Sequence, residues 1–182
     1  MEYKTNEGIL IQEGAWNERT CIRRQGGYNL STDNLPSSLQ YLPKGAVLAY
    51  DTETETASVV KSVKLYEAAS SGATEIKVEK NSAVAVGDVV GGVTISAIDT
   101  TNDDYDVLTV SGVSADLESG TGLVEDVSKK TIIGLNYATV KIDANPSVTA
   151  TVQAYDIDED SLPYPVNDEI KEALTVRHAW KV

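Results

Sequence analysis

Any chemistry in this chain has to start from its single histidine, its single cysteine or its 28 carboxylates. His178 could serve a nucleophilic serine as general base. The Gly-x-Ser-x-Gly turn that presents such a serine is absent, however, and His178 lies in an expected strand beside Trp180. A structural histidine is the expectation. Cys21 stands alone, so it closes no internal disulfide and builds no thiolate metal cluster. Asp156-Ile157-Asp158-Glu159-Asp160 opens like a calcium loop, with oxygen ligands at alternate positions. Ser161 then occupies the place of the turn glycine and Asn167 that of the closing bidentate Glu, which favours a solvated turn. Asp99, Asp103, Asp104 and Asp106 cluster around Asn102, a composition that Asx-turns explain as well as a metal would. Gly87 and Gly91-Gly92 lack the spacing and the following helix of a phosphate cradle. No spacing singles out a carboxylate pair for glycoside chemistry. The residues specify no catalytic set, no metal site and no cofactor, and the expectation is a protein that is not an enzyme.

Charge narrows the partners. The formal net charge is −13, with 15 basic residues, and the one basic cluster, Arg19 with Arg23-Arg24, sits beside Glu13 and Glu18. A nucleic-acid backbone needs clustered Lys and Arg, so no nucleic-acid partner is expected. No apolar run approaches a membrane span, and no membrane partner is expected either. The start, Met-Glu-Tyr-Lys-Thr-Asn-Glu-Gly, lacks the basic and apolar regions of a signal peptide, which fits a chain made and kept in a cytoplasm.

The elements that must position these residues read as strands. Val63-Lys64-Leu65-Tyr66-Glu67 and Ile76-Lys77-Val78-Glu79 alternate apolar with polar, the period of a half-buried strand. Val84 to Val90 is expected as two short apolar runs around a Gly87-Asp88 kink, and Gly91-Gly92 turns the chain into Val93 to Ile98. Tyr105 to Val110 and Leu123 to Val127 complete a set that reads as a small barrel over residues 62–127. Ala46 to Tyr50 with Ala57 to Val60 forms a hairpin, and Thr131 to Leu135, Ala138 to Ile142 and Val148 to Tyr155 supply later strands. Asn167 caps the only good helix, over Asp168 to Leu174, and Thr175 to Val182 reads as a final strand.

The predicted class is all-β. A β-sandwich-like base over 44–61 and 128–182 is interrupted by the inserted small β-barrel, 62–127, with one short C-terminal helix. Residues 1–43 read as an extended N-terminal arm, because Gly14, Gly26-Gly27, Asn34 and Pro36 keep breaking any period. Its spaced apolar residues suit an arm that becomes ordered on a partner; the competing expectation is that it folds back onto its own domain.

The chain resembles the head fibre and capsid decoration proteins of tailed phages, particularly those infecting gut Bacteroides-type hosts. The resemblance rests on Leu42-Pro43-Lys44-Gly45-Ala46-Val47-Leu48 and on Leu65 to Ile98, above all Thr74 to Lys80 and Val86-Gly87-Asp88. Asp99-Thr100-Thr101-Asn102, Tyr105 to Val110 and Leu162-Pro163-Tyr164-Pro165 to Leu174 add to it. It implies a structural virion protein on the outer face of the capsid, homotrimeric and assembled in the host cytoplasm, with the major capsid protein and its own copies as partners. Host surface glycans are a further partner to consider. No catalytic residue is carried over. Ile9, Leu10, Ile11, Trp16 and Ile22 are the candidates for the capsid- or subunit-binding arm. The alternative is a bacterial surface or carbohydrate-binding β-sandwich module.

Overall fold

The computed structural model describes residues 4–6, 9–11 and 14–181, with the backbone alone at 4–6 and 9–11. The fold is mostly β, with 39% of the described residues in strands and 6% helical. In chain order, β1 (Lys4–Asn6) pairs with β2 (Ile9–Ile11). Then come β3 (Ile22–Arg23), β4 (Tyr28–Leu30), β5 (Tyr41–Leu42), β6 (Val47–Asp51) and β7 (Thr56–Val59). They are followed by β8 (Ser62–Lys64), β9 (Glu75–Glu79), β10 (Val89–Val90), β11 (Val93–Asp99), β12 (Tyr105–Val110) and β13 (Gly122–Val124). The remaining elements are β14 (Thr131–Leu135), β15 (Val140–Lys141), β16 (Ser147–Val148), β17 (Thr151–Ile157), helix α1 (Asp168–Leu174) and β18 (His178–Trp180).

The chain divides into two compact units. The first comprises Met1–Asp33, Gln40–Val60 and Val127–Val182, and the second comprises Asn34–Leu39 with Lys61–Asp126.

In the second unit, antiparallel strands run in the order β10-β11-β12-β9. Leu65 bridges to Val78 on one flank, and Gly91 N donates to Val124 O at 2.8 Å on the other. These contacts bring the β13-β8 pair alongside and curl the sheet into a half-barrel. The period-two pattern is the cause. Ile76 and Val78 of β9, Ile95 of β11 and Leu108 and Val110 of β12 all turn inward. Each such side chain, fully buried, contributes about 1.5–3 kcal/mol. Gly91 and Gly92 have φ of 55° and 80°, the two positive values of a type I′ turn, and so close the β10–β11 hairpin at the Val90↔Val93 pair. The expected strand before the kink does not form. Asp88 N donates to Ala85 O at 3.2 Å and Asp88 Oδ2 accepts from Ala85 N at 2.7 Å, which folds Val84–Asp88 into a turn.

The first unit is sandwich-like. One sheet has the order β14-β6-β7-β4-β16, another β18-β17-β3, and β15 pairs with β5. Asp51 Oδ1 accepts from Glu53 N at 2.8 Å, an Asx-turn that joins β6 to β7. The Asn167 side chain accepts from Ile170 N at 3.0 Å, and Ile170 and Leu174 bury the inner face of α1. Residues 175–177 form a turn, so only His178–Trp180 of the expected last strand pairs, parallel to β17.

The N-terminal segment requires a correction. Over 14–33 and 40–43 it is no free arm: β3 pairs with β17, β4 with both β7 and β16, and β5 with β15. Asn17 N donates to Tyr155 O and Asp158 N to Ala15 O, both at 3.0 Å, which lays residues 15–17 along β17. Gly26-Gly27, which looked like an interruption, is the corner by which the chain passes from β3 in one sheet to β4 in another.

Candidate functional site

The lone imidazole is held from both sides inside the first unit. His178 Nδ1 lies 3.1 Å from Leu174 O, and Nε2 lies 3.0 Å from Thr151 Oγ1, which also accepts from Leu135 N at 2.9 Å. A carbonyl can only accept, so Nδ1 carries the proton and Nε2 accepts from the threonine hydroxyl. Burial pushes the His178 pKa below its ordinary 6.5, against a smaller opposing effect of the Leu174 carbonyl. The ring is a neutral strut between α1, β14 and β17. Neither ring nitrogen faces a carboxylate or a serine.

The expected arm residues part company. The strand Ile9–Ile11 pairs with Lys4–Asn6, while the side chains of Ile9, Leu10 and Ile11 lie outside the described residues. Trp16 is 3% exposed, with Lys44 Nζ 4.4 Å from its ring centroid, and Lys44 is ion-paired to Glu18. That burial removes Trp16 from any contact surface of the folded unit. Ile22 is 52% exposed on β3. Cys21 is half-buried, and burial, reinforced by the charge of Glu18, pushes its thiol up to about 11.

The acidic loops are committed to local turns. Asp99 Oδ1 accepts from Thr101 N at 2.9 Å and Asn102 Oδ1 from Asp104 N at 2.8 Å, while Asp106 is ion-paired to Lys80 at 2.8 Å. Bonding to Thr101 holds the Asp99 carboxyl below the usual carboxylate range. In the loop from Asp156, Asp158 Oδ2 accepts from Ser161 Oγ at 2.8 Å. Among the described residues no group of three or more His, Cys, Asp or Glu could hold a metal ion.

Two polar nodes escaped sequence reasoning. Buried Asn136 donates from Nδ2 to Pro43 O at 2.9 Å and to Ala138 O at 2.8 Å, while its backbone bonds Gly45 and Ala46. Buried Lys61 donates to Asn34 O at 2.7 Å and Ala83 O at 2.6 Å, with Asp88 Oδ2 3.5 Å away. Asn34 Nδ2 also bonds Asp88, so the node fixes Asn34–Leu39 onto the second unit. A lysine between apolar stretches carries no signal of such a role; only the fold brings its carbonyls together.

One surface combines charge with unspent hydrogen-bonding capacity. It is an open groove of the first unit lined by Ile22, Arg23, Arg24, Gly27, Ser147 and Thr149. Arg23 lies over the Tyr137 ring and Arg24 over the Tyr28 ring, each 5.4 Å from the centroid. No family model matches the chain, and neither the curated proteins nor the solved structures contain a match.

Proposed function

We propose that this chain is a structural virion protein, a head fibre or decoration protein bound to the outer capsid surface as a homotrimer. One observation carries the reading: the group best suited to acid–base chemistry, His178, is spent on bracing the fold between Thr151 and Leu174. The sequence resemblance to phage head proteins supplies the class, and the exposed Ile22 of β3 remains as a contact residue from the expected set. Sheets joined by tight turns, in two compact units, suit a protein that builds and adheres.

The test is co-sedimentation of the purified chain with capsids of a phage that encodes it, together with light scattering. Retention on capsids, a trimer in solution, and loss of retention in an Ile22→Glu variant lacking residues 1–11 are the expected results. A stable monomer that stays in the supernatant overturns the proposal, and glycan-array binding in its place would favour a carbohydrate-binding surface module.

A further inference from the structure

The groove beside β3 has the makings of a docking edge. β3 is the outer strand of the sheet ordered β18-β17-β3. The Arg24 amide is bonded inward to Ala150 O at 2.9 Å. The alternation of an antiparallel strand then turns the amide and carbonyl of Arg23 to the open side. An edge of this kind can accept a further strand.

Its charge runs against that of the molecule. Arg23 and Arg24 are exposed, and among the described residues neither is ion-paired to a carboxylate. In a chain of net charge −13 this is a local reversal of sign. Each guanidinium lies over a tyrosine ring, Arg23 over Tyr137 and Arg24 over Tyr28, and a guanidinium carries five N–H donors suited to bidentate contact with carboxylates. Ser147 and Thr149 add side-chain hydroxyls to the same groove, and Ile22 adds an apolar contact.

We propose that this edge binds an extended acidic segment of a partner protein, which adds as a strand beside β3 and sets its carboxylates on Arg23 and Arg24. Outward-facing backbone groups and an exposed isoleucine favour a peptide over a small free anion. The assignment stands on this surface alone: failure of capsid co-sedimentation would leave it intact, and its own failure would leave the virion reading intact.

The experiment is fluorescence anisotropy of a labelled synthetic peptide of Glu with interspersed Val, titrated with the full chain at low and physiological salt. A Lys-for-Glu peptide serves as control. Binding of the acidic peptide, weakening with salt, and a loss of about tenfold or more in the Arg23→Glu, Arg24→Glu double variant with unchanged circular dichroism are expected. Should charge reversal unfold the chain, the Arg23→Gln, Arg24→Gln pair replaces it with the same expected loss. No binding by the wild type, equal binding of the Lys peptide, or a double variant that binds like the wild type overturns the proposal. Full displacement by inorganic phosphate at matched charge would make this a simple anion site and also overturns it. So does light scattering in which the wild type self-associates and the double variant does not, since the occupant is then a second copy.

Discussion

The imidazole of His178 is the residue whose environment differs most from what its chemistry invites. Its protonation site is fixed by two neighbours that are themselves fixed by α1, β14 and β17. The linkage has a definite sign. The folded-state pKa is depressed, so the unfolded chain binds the proton more readily as pH falls through about 6.5, and stability present above that value drains away below it. Urea midpoints measured from pH 7.5 down to pH 5.5 should therefore fall for the wild type and show a flatter slope for His178→Gln. Cys21 offers a second titration. With its thiol raised to about 11, alkylation by iodoacetamide should be slow at pH 8 and climb steeply only as pH approaches 11, whereas the urea-unfolded chain should react readily near pH 9. Neither shift was legible from the sequence, because both come from burial created by distant segments.

Strand periodicity and turn chemistry were the legible parts at the scale of elements. The alternation in β9 and β12, the polar hairpin turn at Asp51 and the Asn167 cap all follow from local residue types. Isolated short strands were not legible. β3, β4, β5 and β16 span two or three residues each, too few for a period to show, and they exist because neighbouring strands hold them. Gly134 shows the same dependence on partners. The β14–β6 register shifts between Ile132 and Gly134, φ at Gly134 is 142°, and an added Cβ would sit 2.1 Å from Thr151 O. Gly134→Ala should cost about 3 kcal/mol or more, as overpacking against backbone. Gly92→Ala, with φ of 80° and open space around it, should cost only about 1–2 kcal/mol of left-handed strain. Chemical denaturation of the two variants measures the contrast.

At the scale of the molecule, composition and periodicity pointed to an all-β chain, while the membership of each compact unit needed the fold. Asn34–Leu39 joins the second unit through Lys61 and Asp88, although nothing in its Pro-Ser composition points there. Trp16 looked like an adhesive side chain and is core. An aromatic residue in an irregular, glycine-broken stretch reads the same whether its cover comes from its own chain or from another.

Where the longer segment of the second unit begins and ends, the chain closes on itself. Lys61 N donates to Glu125 Oε1 at 2.8 Å and Glu125 N to Lys61 O at 2.9 Å. Entrance and exit strands clasped this closely make the intervening residues an exchangeable cassette. Replacing 62–124 with a short Gly-Ser connector should leave the sandwich-like unit folded, with cooperative melting and retained protection of the β6, β7 and β14 amides in hydrogen exchange. A chain that loses all protected amides on this excision would show that the two units fold only together. If the excised chain holds, a foreign domain of similar end-to-end span could ride in the same place, and the molecule would serve as a display carrier.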